Sequence, residues 1–318
     1  MNYMKNKYNK IASFVLGIIA IVVFSSQLEA QQDSQYTQYM YNTQTVNPAY
    51  VGTGGVFGVT ALYRNQWVGL EGAPETLNFS LSTPLGVSER LGIGLSFIQD
   101  KAGPASESTI VADVSYTIPV GERTSLSFGL KGGVNLLNVD YSVLNIFNPN
   151  DALQQFNIDN RMSAVAGVGL FLHDFDKWYV GLSVPNFLET TYYDDTSVSN
   201  ASEKANLYAI AGYVFNLNET TKFKPAVLGK FVAGAPVGLD LSVNFLFNEK
   251  VTLGAAYRLD SAVSALAGFQ VSDTLFIGYS YDYGTQELAN FNSGSHEIFL
   301  RFKLGRNRND RFLSPRFF

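Results

Sequence analysis

The sequence predicts an all-β protein, a transmembrane outer-membrane β-barrel of about 14 antiparallel strands with an N-terminal plug-like segment. Three observations predict it. An apolar leader marks the chain for export, apolar residues alternate with small or polar ones through many short segments, and the connections between those segments alternate between short and long.

The leader comes first. Lys5, Lys7 and Lys10 precede the apolar run from Ile11 to Phe24, and "SSQLEA" offers a cleavage site after Ala30. That is the layout of a secretory signal, and the run falls short of the ~20 residues a spanning helix wants. The chain therefore divides into a signal peptide at 1–30, a plug or arm at 31–54, a β-barrel at 55–305 and a basic, aromatic periplasmic tail at 306–318. The full chain carries a net charge of −5, and losing three lysines and Glu29 with the signal leaves −7. An acidic exported chain is a poor match for nucleic acid. There is no cysteine, so no disulfide framework or thiolate metal site. The two histidines, His173 and His296, are too far apart in sequence to suggest a zinc site. No cofactor and no resident metal are expected. Charged residues are 15% and aromatics 14%, with 28 Gly, a balance that favours a membrane barrel over a soluble enzyme.

The strands follow from alternation. "RLGIGLSFI" puts Leu91, Ile93, Leu95 and Phe97 on one face and Gly92, Gly94 and Ser96 on the other. "TIVADVSYT" sets Ile110, Ala112, Val114 and Tyr116 against Thr109, Asp113, Ser115 and Thr117. "GLDLSVNFLF", "KVTLGAAYRLD" and "HEIFLRFKL" repeat the pattern. In a soluble sandwich the polar face meets open water and carries Lys and Glu. Here small residues dominate it, as suits an enclosed lumen with the apolar face toward lipid. The segments lie near 55–65, 75–84, 90–99, 107–118, 123–138, 161–172, 177–185, 203–216, 221–233, 236–247, 250–259, 261–271, 274–283 and 295–304. With both barrel ends in the periplasm, the periplasmic turns "PLGVSER", "PVGER", "HDFDK", "NLNET", "NEK" and "SD" are all short. The outer connections "NQWVGLEGAPE", "DKAGPASE", 139–160, 186–202 and "GTQELANFNSGS" are mostly long, with short exceptions near Gly234 and Asp260. That asymmetry belongs to outer-membrane barrels.

Between leader and strands lies "QQDSQYTQYMYNTQTVNPAY". It has no strand period, and irregular backbone cannot face lipid. It is expected inside the barrel or at its periplasmic mouth, with Tyr36, Gln38, Tyr39, Asn47 and Pro48 among the residues meeting the polar wall. Asn47–Pro48 ends it in an extended turn. Two readings stay open: a plug or gate, and an ordered arm with no separate role.

"QYTQYMYNTQTVNPAYVGTGG", then "YRNQWVGLEGAPETLNFSLSTPL", with "GIGLSFIQDKAGP", "YSYDYG", "GSHEIFLRF" and "SPRFF", resembles the PorP/SprF family of type IX secretion system outer-membrane proteins. The resemblance covers essentially the whole mature chain. It implies an outer-membrane barrel of Bacteroidetes-type bacteria that serves secretion or cell-surface attachment of proteins bearing a type IX C-terminal signal domain. Some members support delivery of large adhesins, including those of gliding motility, and others belong to the core apparatus. The partners so implied are a secreted protein with that domain, other type IX secretion components and outer-membrane lipid. An "NPA" element and the strand count also resemble FadL transporters of small or hydrophobic molecules, over a far shorter stretch.

Candidate sites complete the reading. In the first outer loop Arg64, Asn65, Gln66, Trp67 and Glu71 form a partner-binding candidate, since Arg and Trp anchor interfaces. Glu71 is the expected ion-pair partner of Arg64, and the competing reading of Trp67 is an aromatic-belt residue. On the expected inner face lie Asp113, Lys131, Asp240, Arg258, Asp282, Glu297 and Arg301. Enclosed charges pair or line a wet channel, and a mutual salt-bridge network is the favoured outcome. The loop with Glu189, Asp194 and Asp195 matches no calcium-loop spacing. A short helix is expected at Asp151–Phe156. His296 near Ser293 and Ser295 is the one cluster that suits a lipase, but Glu297 alternates to the opposite face, so the protein is expected not to be an enzyme.

Overall fold

The computed structural model describes residues 36–143, 157–174, 176–188 and 204–304. The signal peptide, the Asp151–Phe156 helix, the acidic loop with Glu189, Asp194 and Asp195, and the tail at 306–318 lie outside the described residues.

Period-2 patterning becomes fifteen strand segments: β1 (Phe57–Asn65), β2 (Glu75–Leu85), β3 (Leu91–Ala102), β4 (Ala105–Pro119), β5 (Thr124–Val139), β6 (Ile158–Asp174), β7 (Trp178–Val184), β8 (Asn206–Tyr213), β9 (Phe215–Asn216), β10 (Thr221–Val232), β11 (Gly238–Phe247), β12 (Val251–Arg258), β13 (Ala262–Gln270), β14 (Leu275–Gly284) and β15 (Ser295–Leu304). Apart from β8 and β9, each neighbours the next in sequence, all antiparallel, and β15 pairs with β1 to close the ring. β9 continues β8 past Val214 and pairs with the same β10, so the wall has 14 staves. Closure removes every sheet edge, which a bilayer requires because unpaired backbone groups cannot face hydrocarbon.

The two faces separate as the alternation dictates. Leu91, Ile93, Leu95, Ile110, Val114, Tyr116, Leu241, Leu253, Ile298 and Leu300 are exposed on the outside. Gly92, Gly94, Ser96, Asp113, Ser115, Ser242 and Asn244 are buried within. Near the periplasmic end the outer surface carries an aromatic run, Tyr213–Phe215–Phe223–Phe245–Phe247, with successive ring centroids 4.5, 6.0, 4.9 and 6.3 Å apart, as in an interfacial girdle. No described helix is long and apolar enough to cross a membrane.

The rims differ in depth. Turns on the rim shared with the chain ends span three to five residues, whereas the opposite rim carries the connections 66–74, 140–157, 185–205 and 285–294. One expected long loop is corrected. "DKAGPASE" is mostly strand, because β3 runs to Ala102 and β4 starts at Ala105, leaving a tight turn at Gly103–Pro104. Gly103 has φ +55°, which favours glycine there.

The hydrophobic core sits in the lumen. The segment from Tyr36 to Tyr50 runs inside the ring as a turn at Tyr39–Tyr41, one helical turn at Thr43–Val46 and a turn at Pro48–Tyr50. Tyr39, Met40, Tyr41 and Ala49 pack there with inward-facing Leu62, Phe171, Tyr179, Phe276 and Phe299. The Tyr41 ring lies 5.1 Å from Phe276 and 5.3 Å from Phe299. The inner face is thus polar with aromatic insertions, which the small-residue alternation alone did not convey.

Candidate functional site

The amino-terminal segment is bound to the wall through four groups of contacts, each set by strand register. Arg64 on β1 stands opposite Glu297 on β15, and Ser280 on β14 stands opposite Glu297 on its other side. The inward positions two residues along bring Asp282 close. Arg64 sits 2.7 Å from Asp282 and 3.1 Å from Glu297 and donates to Thr37 Oγ1 at 2.9 Å. Thr37 Oγ1 donates to Asp282 at 2.7 Å, and Glu297 accepts the backbone amides of Thr37 and Gln38 at 2.9 and 2.8 Å. A carboxylate accepting backbone N–H bonds beside a guanidinium is a strong, charge-assisted arrangement. The sequence expectation of an Arg64–Glu71 pair is corrected: β1 turns the Arg64 side chain into the lumen, while Glu71 is exposed in the loop above.

The second anchor is Arg258, which donates to Asp240 at 2.6 Å and to the Tyr36 carbonyl at 3.2 Å. The third is the pair Lys131–Asp113, directly opposite on β5 and β4 and 3.7 Å apart. Lys131 donates to the Thr45 carbonyl at 3.0 Å, and Gln44 Nε2 donates to Ser96 at 3.1 Å and Asp113 at 3.3 Å. The fourth is Asn47, fully buried, which donates to the Leu170 carbonyl at 3.0 Å and accepts from Ala49 N at 2.9 Å. That local bond fixes the turn that Pro48 begins. Ser183 and Ser115 donate to the carbonyls of Val46 and Val51, both at 2.6 Å.

Glycines give the segment room. A Cβ on Gly129 would collide with the backbone of Pro48 and Ala49, one on Gly169 with the Asn47 side chain, and one on Gly92 with the Val51 carbonyl. The inward "small" face is therefore a complementary mould for the amino-terminal segment. Burial pushes the Tyr41 hydroxyl up to about 12 and raises that of Tyr39 as well, so both rings stay neutral in their enclosure.

Most expected inner charges are paired as above. Arg301 is not: its guanidinium lies 4.9 Å from the Phe276 ring centroid and 5.7 Å from that of Tyr41. Sequence reasoning did not single out Thr37, Asn42 and Gln44 as wall-contacting residues, nor Asn78 and Ser96 as the partners of Asn42 and Gln44, nor Ser183 and Ser115 as donors to the Val46 and Val51 carbonyls. Their inward strand positions were legible, but which of them meets the segment depends on register around the ring.

At the outer rim the first loop is tied down. Gln66 N donates to the Pro74 carbonyl at 2.9 Å, and Gln66 Oε1 accepts from Arg64 at 3.3 Å. Val68 N donates to the Gly294 carbonyl at 2.9 Å, Ser293 N to the Val68 carbonyl at 2.8 Å, and Gly103 N to the Gly72 carbonyl at 2.9 Å. Trp67 N donates to Ser295 Oγ at 3.1 Å, with Trp67 at φ +47° and 39% exposed. A tryptophan held in that backbone region is uncommon and persists only where its surroundings over-determine it. Beside it Asn65, Val68, Gly69, Leu70, Glu75 and Lys101 line a cleft of about 330 Å³. His296 bonds the Tyr279 hydroxyl at 2.7 Å, and Ser295 Oγ accepts from Trp67 N.

No curated protein matches the sequence. Among solved structures, the chain is similar to "CymD monoaromatic hydrocarbon channel" (12% identity, 88% of this chain and 96% of that one, TM-score 0.48). It is also similar to a Pseudomonas aeruginosa FadL homologue (12% identity, 81% and 91%, TM-score 0.46) and to a TodX variant (11% identity, 82% and 92%, TM-score 0.45). The family described as "Type IX secretion system membrane protein PorP/SprF" matches residues 28–302. With a closed barrel of outer-membrane type and a family match over most of its length, this chain belongs to the PorP/SprF family of type IX secretion system membrane proteins and resides in the bacterial outer membrane.

Proposed function

We propose that the protein is a non-enzymatic docking barrel that binds a secreted protein at its outer face, through that protein's type IX C-terminal domain, for release or attachment at the cell surface. The observation that carries this reading is the filled lumen. The chain's own residues Tyr36–Tyr50 occupy the ring and are held by buried ion pairs and backbone bonds, which suits a stopper better than a passage for small molecules. Binding energy is then available at the outer rim, where the braced loop carrying Trp67 and the cleft beside it present a fixed aromatic anchor. A rigid anchor loses less entropy on association than a loose one. Delivery of a large adhesin, as in gliding motility, fits the same role.

The test is crosslinking and mass spectrometry on tagged protein extracted mildly from its native outer membrane. A secreted protein recovered near stoichiometry and crosslinked through its C-terminal domain to the outer loops is the expected result. Recovery of the barrel alone with lipid or a small ligand in the lumen would overturn the proposal in favour of transport.

A further inference from the structure

We propose that the lower lumen contains an oxyanion-binding site built on Arg301, between the amino-terminal segment and the wall. Arg301 is 9% exposed, and its Nη1 has no hydrogen-bond partner. No carboxylate among the described residues lies within 4 Å of it, in contrast to Arg64, Lys131 and Arg258. The guanidinium carbon lies over the rings of Phe276 and Tyr41, and cation–π contact offsets part of the cost of burying the charge. It does not supply Nη1 with a hydrogen-bond acceptor, and guanidinium N–H groups are the ones that take a carboxylate or phosphate in bidentate fashion.

Arg301 lines a cavity of about 60 Å³ whose walls include Thr60, Ser80, Ser82, Lys303 and Tyr41–Gln44. Roughly 10–15 Å³ of such space accommodates one water, so the cavity admits an anion of acetate or phosphate size and no larger ligand. The chemistry is one-sided. Lys303 shares the cavity, and Lys224 Nζ lies 5.7 Å from the centroid of the same Tyr41 ring. Thr60 Oγ1, buried and without a partner, can donate to an oxyanion. Gly54 and Val56 line the cavity at its periplasmic end, and Gly54 is exposed, so the site opens toward the periplasm. An anion there touches both the wall and the amino-terminal segment, and by linkage it strengthens the seated state.

The test is isothermal titration of the full-length barrel in detergent micelles with acetate and with inorganic phosphate. One saturable site per barrel is expected for at least one probe, weakened tenfold or more in Arg301→Gln and partly retained in Arg301→Lys. The absence of saturable binding of either probe to the wild type, or equal affinity in Arg301→Gln, overturns the site. If Arg301→Gln does not fold, Thr60→Val and Lys303→Gln report in its place: several-fold weaker binding in folded barrels supports the proposal, and unchanged binding in both overturns it. A response to phosphate alone identifies a tetrahedral oxyanion, and one to both probes a general carboxylate or phosphate site.

Discussion

Replacing Arg64 with Met removes a buried charge while keeping most of the side-chain volume. Arg64 is 2% exposed and serves Asp282, Glu297 and Thr37 at 2.7, 3.1 and 2.9 Å. Removing one partner of a buried ion pair costs about 3–5 kcal/mol, because the remaining charge stays desolvated. Here two carboxylates are stranded. Withdrawal of the amino-terminal segment admits water and rehydrates both, so the cost falls on the seated state, while the ladder bonds of the wall are untouched. Even the lower bound of about 3 kcal/mol is roughly a 150-fold change in the ratio of seated to withdrawn protein. Hydrogen exchange at the Thr37 and Gln38 amides, which bond Glu297, reads this directly. Exchange is expected to accelerate by about two orders of magnitude, with amides in β12 and β13 unchanged. The triple variant Arg64→Met, Asp282→Asn, Glu297→Gln removes the charges together and is expected to recover much of the protection. Exchange within threefold of wild type in a folded Arg64→Met barrel, or a triple variant no better than the single one, would refute the reasoning.

Three further outcomes are expected. Gly129→Ala places a methyl against the backbone of Ala49, whereas Gly132→Ala meets nothing within 4 Å. The first should lose about 1–3 kcal/mol from overpacking and expose the amino-terminal segment to protease, and the second should behave as wild type. Asn47→Ala removes both the bond to the Leu170 carbonyl and the acceptor for Ala49 N. A loss of about 1–3 kcal/mol is expected in thermal unfolding, with Asn47→Asp keeping the local turn but not the bond to the wall. The Tyr41 hydroxyl, raised from 10.0 to about 12, favours the seated state fully below pH 10 and loses that contribution as pH rises through about 12. Ultraviolet titration should show late-ionising tyrosines, Tyr39 among them, with one fewer in Tyr41→Phe.

Some of this architecture is local and therefore legible in the chain. Side chains alternate across a strand with period 2, so Leu91, Ile93 and Leu95 against Gly92, Gly94 and Ser96 declare an apolar outside and a small-residue inside without knowledge of any neighbour. Repetition of that pattern and the unequal connections set the number of staves and the closed ring. The opening segment, polar and aperiodic, had to avoid lipid, and the lumen was one of two places left to it. The contacts that define the candidate site are of another kind. Arg64, Asp282 and Glu297 meet because β14, β15 and β1 pair in one register across the closing seam, between residues more than 200 positions apart. A slip of one residue in any of these strands would turn its member of the cluster outward. Sequence proximity suggested Glu71 as the partner of Arg64, yet β1 aims Arg64 inward and the loop carries Glu71 away. The clearance at Gly129 and Gly169, the aromatic cover over Arg301 and its orphaned Nη1 arise where the amino-terminal segment meets the wall. Alternation along each strand is a property of the backbone and is written residue by residue; the meeting of segment and wall is fixed when the ring closes and its interior packs, so the tertiary structure alone decides it.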